Sequence, residues 1–409
     1  MASSEVTTTL ASLEDPNSPS SNKPSAYSDL LNRITSSKTS TLPADLTAFN
    51  NSVLGETLGI VAARSLLASA VSAIKSLPSS TDKINVGTSA LSTLEPRVVS
   101  FEEQDAELRY LLADAYEAEE EWIESAKVLQ GINLESSQRK ISDEDRVSTW
   151  IRVCRLYLED DDPTTAESYL NRAKNIIYKL PPSAGQLKLL FQLSQARIQD
   201  SQRKFLDASS AYHNISFNTT VDEEERLRTL SGAITCAVLA PAGPARSRTL
   251  AKLYKDERAS EVPEYGILEK MFLDRLLSTA EVDKFAAGLQ PHQVARTSDG
   301  STVLARAVVE HNLLSASRLY ANIGFTELGG LLNLTEERAE EVASAMLQQG
   351  RLTGRIDQVD GVLLFEQLPG PSQPAGVQLR KWDAKVQGVA EEVERVASML
   401  MARQPVSLG

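Results

Sequence analysis

Between residues 303 and 365 the spacing of apolar residues switches from helical to alternating, and this switch restricts the fold more than any other feature of the chain. Ala305, Val308, Val309, Asn312, Leu313, Ala316, Leu319, Tyr320 and Ile323 fall on one stripe of a helix, which Gly324 is expected to end. Residues 325–332 make a short second helix. Thr335 stands where a third helix needs an N-cap, and Glu336 and Glu337 follow in the first turn, where the helix dipole favours acids. Ala339, Val342, Ala343, Met346 and Leu347 give that helix one buried face, closed by Gly350. Leu352, Gly354 and Ile356 then alternate with polar residues, as along a strand. Asp360-Gly361 predicts a two-residue turn with both residues at positive φ, and Val362, Leu363, Leu364 and Phe365 form the return strand. Three helices followed by one hairpin is the order of a winged helix.

Upstream, the chain reads as paired antiparallel helices. Leu108, Leu111, Leu112, Ala115 and Tyr116 mark one helix face, and Trp122, Ala126 and Leu129 mark its return partner. The theme recurs around Val147, Ile151, Cys154 and Tyr157 with Ala166, and again around Leu190, Leu193 and Ala196 with Ala208. Ala126, Ala166 and Ala208 lie 40 and 42 residues apart, a period that fits helical-hairpin solenoids. A small residue there lets two helix backbones approach. Plain stacked helices without a repeat remain the other reading. Asp160-Asp161-Asp162-Pro163, Pro181-Pro182 and Pro241-Ala242-Gly243-Pro244 mark breaks between helices.

The two ends differ from the middle. Residues 1–26 are rich in Ser, Thr and Pro and are expected to be disordered, because so little apolar surface cannot offset the entropy of ordering. A Pro/Gly-rich linker covers 369–380. In the last segment, 381–403, Trp382, Val386, Val389, Val393, Val396 and Leu400 keep a period of 3.5, the seam of a coiled coil that needs partner helices. The same seam packed back on its own chain is the alternative. The whole is mainly α: a right-handed helical-hairpin arm at 27–250, then a winged-helix domain at 251–368 with a small β-hairpin, and a C-terminal helix.

Little in the chain points to chemistry. The histidines are His213, His292 and His311, none at metal spacing with another. No glycine-rich phosphate loop, Gly-x-Ser-x-Gly elbow or calcium-loop pattern occurs, so neither catalysis nor a cofactor is expected. Cys154 and Cys236 sit in apolar helical pattern and read as reduced core thiols of an intracellular protein. The start lacks the pattern of a signal peptide, and no apolar run approaches the ~20 residues that span a bilayer. The net charge is −13, and the third helix of the winged unit exposes Glu336, Glu337, Glu340 and Glu341 against Arg338, with only Arg351 and Arg355 on the wing. Phosphates would be repelled there, so no nucleic acid is expected. A short sheet leaves an open edge. The expected assembly surface is therefore Val362, Leu363, Leu364 and Phe365, pairing with a neighbour's strand, together with the C-terminal seam.

The wording is also specific. YGILEKMFLDRLL at 265–277, LQPHQ at 289–293, DGSTVLARAVVEHNLLSASRLY at 299–320 and QVDGVLLFE at 358–366 closely resemble the subunit 4 family of the COP9 signalosome, whose members carry a PCI domain. The resemblance implies a non-catalytic scaffold subunit in nucleus and cytoplasm. It implies winged helices paired edge to edge with other signalosome subunits, and C-terminal helices joined in a common bundle. It further implies an N-terminal arm that contacts the cullin-RING ligase while another, zinc-bearing subunit removes a ubiquitin-like modifier from the cullin. A PCI subunit of the proteasome lid or of translation initiation factor 3 has the same architecture and is the alternative.

Overall fold

In a computed structural model, the structure describes residues 2–15, 23–37, 41–55, 58–136, 141–296 and 300–366, with the isolated positions 389, 392 and 393. The chain forms two compact units, Met1–Cys236 and Ala237–Gly409. The division falls earlier than the boundary read after Leu250, because the helix after Pro244 packs on the elements that follow it.

The first unit opens with α1 (Ser4–Glu14), α2 (Lys23–Ser37), α3 (Leu42–Val53), α4 (Ile60–Lys75) and α5 (Ser80–Leu94). The helix α1, with the start of α2, corrects the expected disorder over residues 4–14 and 23–26. Its composition is poor in apolar residues, yet Val6 and Leu10 sit one turn apart and both are buried in the core of α2–α5. Ser3 caps the helix, and its own N–H donates to Asp45 of α3 at 2.6 Å. The hydroxyls of Thr7, Thr8 and Thr9 bond back to the carbonyls of Ser3, Ser4 and Glu5. Average composition hid a two-residue anchor. Deeper in the same core, Tyr27 is fully buried, meets Phe49 edge-on at 5.9 Å, and shares a 2.9 Å hydrogen bond with Ser52.

Three helical hairpins follow: α6 (Glu102–Ala118) with α7 (Trp122–Gln130), α8 (Asp143–Glu159) with α9 (Pro163–Ile177), and α10 (Gly185–Ser201) with α11 (Phe205–Ser216). Ala126, Ala166 and Ala208 are all fully buried where the return helices cross their partners. Successive hairpins are stitched by charge. Arg152 of α8 donates to Glu117 of α6 at 2.8 Å, and Arg197 of α10 to Glu159 of α8 at 2.8 Å. Each hairpin turns through one non-glycine residue at left-handed φ: Glu120, Asp161 and Arg203, at 61°, 58° and 61°. In each case the next N–H reaches back five residues, Glu121 to Tyr116, Asp162 to Tyr157 and Lys204 to Gln199, at 2.8–2.9 Å. Cys154 and Cys236 are free and buried, and burial pushes the Cys154 thiol up to about 12.

After α12 (Glu223–Leu239), the second unit contains α13 (Pro244–Tyr254), α14 (Tyr265–Phe272), α15 (Thr279–Ala286), α16 (Pro291–Val294) and α17 (Val303–Leu319). Next come β1 (Asn322–Gly324), α18 (Phe325–Leu332), α19 (Glu336–Gln348), β2 (Gly354–Asp357) and β3 (Val362–Phe365). Leu313, Leu328, Ala339, Ala343, Met346 and Leu363 are fully buried between the helices and the sheet. As expected, Thr335 caps α19 and Gly350, at φ 65°, closes it.

Two expectations fail in this unit. The helix α17 stops at Leu319 instead of running to Gly324, and Tyr320 is already extended. The residues released form β1, which pairs with β3 so that the sheet order is β1-β3-β2. Pairing beside an exposed side of β3 satisfies more backbone groups than another helical turn, and three residues are too few to show alternation in sequence. The wing turn is also longer than predicted. Asp357 pairs with Val362, leaving four loop residues, 358–361. The side chain of Asp357 accepts the N–H groups of Val359 and Asp360 at 3.1 and 3.3 Å, and Gly361 alone among these residues has positive φ.

Candidate assembly surface

The sheet decides what the winged helix can offer. Val362, Leu363, Leu364 and Phe365 do not form an open edge: β3 is the central strand, paired to β1 on one side and β2 on the other. Leu363 and Phe365 are buried. The backbone of this strand is used up inside the protein, which corrects the interface expected there. The free edges belong to β1 and β2.

The two edges differ. Phe365 N–H donates to Ala321 at 2.9 Å, and Phe325 N–H donates to Gly361 at 2.9 Å. Those bonds set the phase of the β1–β3 ladder, so Ile323 bonds inward while Asn322 and Gly324 turn their N–H and C=O groups outward. No charged residue lies in β1. Exposed Leu319 (67%) and Tyr320 (42%) stand immediately before it. An ion pair between Arg318 and Asp274 brings the connector that carries exposed Leu273 and Leu276 to the same end of α17. β2, by contrast, carries Arg355 and Asp357, the kind of charge that blunts an edge. Gly354 fits there only because it lacks a side chain: a Cβ would sit 2.3 Å from the Leu364 carbonyl oxygen.

The exposed face of α19 is acidic, as expected. Glu336, Glu337 and Glu341 are exposed, and Arg338 is held by Glu341 at 2.6 Å. Glu340 accepts a bond from Gln358 of the wing loop. Arg351, counted as a wing base from sequence, points inward to Glu310. This surface does not suit a phosphate backbone.

Glu310, His311 and Asn312 are consecutive, buried and polar. Glu310 takes two prongs of Arg351, one at 2.9 Å, accepts from Arg306 at 3.2 Å and from the Ala242 N–H at 3.0 Å. Burial pushes its carboxyl up, but these donors and the Arg351 charge outweigh burial and hold it below its ordinary value. His311 Nε2 donates to the Arg275 carbonyl at 2.9 Å, which leaves Nδ1 facing Arg246 at 3.5 Å. Burial, reinforced by Arg246, lowers the imidazole to about 4, so it is neutral at physiological pH. Asn312 bonds both backbone groups of Leu277, at 2.9 and 3.2 Å. The sequence placed Asn312 on the buried stripe and His311 in a packed position, and both stand so. It gave no signal for Glu310 or for the role of Arg351.

Of the C-terminal seam, Val389 and Val393 are described; both are helical and exposed, at 63% and 62%. Trp382, Val386, Val396 and Leu400 lie outside the described residues, as does the linker 369–380. Among the described residues no cluster of His, Cys, Asp and Glu is arranged to hold a metal ion, and no helix is long and apolar enough to cross a membrane.

Comparison with known proteins agrees with this architecture. The family described as PSMD12/CSN4, N-terminal, matches residues 5–224, and the PCI domain matches residues 269–367. A COP9 signalosome complex subunit 4 of Emericella nidulans is 52% identical over 406 residues, covering 97% of this chain and 98% of the relative. The chain belongs to the COP9 signalosome subunit 4 family. Subunit 4 proteins of Dictyostelium discoideum and Drosophila melanogaster are 44% and 40% identical, over 91% and 93% of this chain and 92% and 90% of theirs. The signalosome resemblance read from residues 265–366 therefore extends over nearly the full length. As a subunit 4 family member, the chain is a component of a complex with other signalosome subunits, and its winged helix is the C-terminal part of its PCI domain.

Proposed function

We propose that this chain is a non-catalytic scaffold of the signalosome, in nucleus and cytoplasm. It supports removal of a ubiquitin-like modifier from cullins and so regulates cullin-RING ubiquitin ligases. Its N-terminal arm contacts the ligase, its C-terminal seam joins partner helices, and its winged helix pairs with a neighbour's strand. The observation that carries the assembly role is the uncharged edge of β1, with two outward-facing residues and exposed Leu319 and Tyr320 beside it. That edge can accept a strand through main-chain hydrogen bonds while the leucine and tyrosine supply apolar contact.

Asn322→Pro tests the edge. It removes an outward donor and leaves the β1–β3 ladder intact. With the full-length tagged chain, we expect a melting temperature near wild type and a loss of at least about tenfold in co-purified signalosome neighbours. Leu364→Pro breaks the internal ladder and should lower stability itself. Normal recovery of neighbours by Asn322→Pro rules out the β1 edge. Deneddylation by the purified chain alone rules out the scaffold role.

A further inference from the structure

The corner between α12 and α13 is built unlike the hairpin corners before it. At Glu120, Asp161 and Arg203 the chain closes on its own backbone. At Ala240-Pro241-Ala242-Gly243 it has no such closure. Pro241 has no N–H, and Gly243 is extended, at φ 160°. The backbone groups of this corner go to side chains instead, one of them nearby and two of them distant. Arg246 donates to the Ala240 carbonyl at 3.1 Å, Glu310 accepts the Ala242 N–H, and Arg351 donates to the Ala242 carbonyl at 3.2 Å. Arg351 lies between α19 and β2, at the root of the wing. It is held there from both directions: its N–H bonds back to Met346 at 2.9 Å, and its guanidinium grips Glu310.

We propose that Glu310 and Arg351 form a positioning latch, which locks the α12–α13 corner to the root of the wing and fixes how the wing sheet is offered to a neighbour. The assembly role of the latch rests on the reading given under Proposed function. Stability alone does not account for it. The side chains of Glu310 and Arg351 are only 3% and 15% exposed, and Arg246 is 2% exposed. Burying such charges costs several kcal/mol per ion, and apolar residues of similar size often hold a protein together as well or better. What an apolar pair lacks is direction. A two-pronged guanidinium–carboxylate contact has one geometry, and here it also holds an N–H and a carbonyl of the same residue, Ala242. The two residues that follow Glu310 extend the arrangement: His311 and Asn312 hold the backbone of Arg275 and Leu277. One turn of α17 thus indexes three separate segments of the unit.

The test separates position from stability. In the full-length chain, Glu310→Leu with Arg351→Met removes both charges of the latch and should cost less stability than Glu310→Ala, the unpaired Ala242 N–H and carbonyl being its main loss. Amide exchange at residues 237–246 should speed up by about tenfold or more, while exchange in the first unit stays unchanged. Binding to purified neighbouring subunits should weaken by about tenfold. Should the double variant fail to fold, Arg351→Lys serves instead: it keeps the charge, loses the fork, and should show the same division. Unchanged exchange at the corner overturns the latch. Faster exchange with normal assembly overturns its positioning role and leaves the assembly reading standing. Failure of the wild-type chain to bind its neighbours overturns the assembly reading and the positioning role together.

Discussion

The corners at Glu120, Asp161 and Arg203 and the corner at 240–243 solve one problem in two ways. A helix end leaves carbonyls and N–H groups without partners, and a buried one must be satisfied. The first three corners use a left-handed residue and a backbone bond that spans five residues. Such a corner is complete within half a dozen residues and places no demand on the rest of the protein. The fourth recruits Glu310 and Arg351, 68 and 109 residues away. The N–H and carbonyl of Ala242 find their partners only when Glu310 and Arg351 are in place. A self-closed corner can be repeated along an arm without end; a corner closed by remote side chains marks one place only. Locality is not confined to the first unit, since Asp274, Asn333 and Gly350 also sit at positive φ. The contrast is between corners that are standard parts and one that is a junction.

The largest effect that distinguishes them comes from removing half of the latch. Glu310→Ala leaves Arg351 buried without its carboxylate and the Ala242 N–H without an acceptor. The expected loss is about 3–5 kcal/mol in chemical denaturation. An alanine at Glu120 or Arg203 removes an exposed side chain and should shift stability by no more than about 0.5 kcal/mol. A loss below about 1 kcal/mol for Glu310→Ala would show that the corner does not depend on its remote partners.

Acid should separate the corners next. His311 is buried among Arg246, Arg318 and the Arg275 carbonyl, and its pKa falls from 6.5 to about 4. Between those values the unfolded chain binds a proton that the folded chain refuses. Stability therefore falls as pH drops from 6.5 towards 4, by up to about 3 kcal/mol, and this contribution levels off below that range. Glu310 acts in the same direction at lower pH. Its folded pKa is depressed, so its stabilisation is present above the ordinary carboxylate value and lost as pH falls through the folded value. Amide exchange, corrected for intrinsic rate, should show Ala242 opening more readily at pH 4.5 than at pH 7. The amides of Glu121 and Lys204, whose bonds are backbone to backbone, should respond less. Equal responses at all the corners would remove the distinction.

Sequence reading follows the same divide between local and remote. The buried alanines at 126, 166 and 208 were legible because helix packing repeats its demand for a small residue at each crossing. The order of helices in the winged unit was legible from 3.6-residue periodicity and from Thr335 and Gly350. The third strand was not: Asn322–Gly324 is too short to alternate, and its stabilisation comes from β3, forty residues on. That single omission also turned Val362–Phe365 from a central strand into an edge. The wing loop was misread because Asp360-Gly361 is a strong turn signal, while the deciding contact is the side chain of Asp357. Helix α1 was missed because two residues, Val6 and Leu10, anchor a stretch that is otherwise polar. For the assembly surface, the outward phase of β1 follows from register alone, which no single segment encodes. The latch was invisible for a plainer reason. A glutamate beside an apolar stripe looks like a solvent-facing position until the arginine that meets it is known.

The smallest effect is also the cleanest probe of the self-closed corners. Glu120 and Arg203 hold left-handed φ with a Cβ that crowds the following carbonyl. Both side chains are exposed. Glycine removes the crowding and keeps the five-residue backbone bond, at the cost of a more flexible unfolded chain. Steric relief outweighs that cost at such a position, so Arg203→Gly should stabilise the first unit by about 1 kcal/mol, and Glu120→Gly by a similar amount. Asp161→Gly should gain less, since aspartate tolerates this region better. At 243 the reverse change, Gly243→Ala, meets an extended backbone with nothing closer than the Arg351 side chain at 3.8 Å, and should be nearly neutral. Denaturant midpoints for these variants decide the point. If Arg203→Gly destabilises while Gly243→Ala also costs more than about 1 kcal/mol, then backbone conformation does not divide the two kinds of corner, and the side-chain latch must be re-examined as an accident of packing.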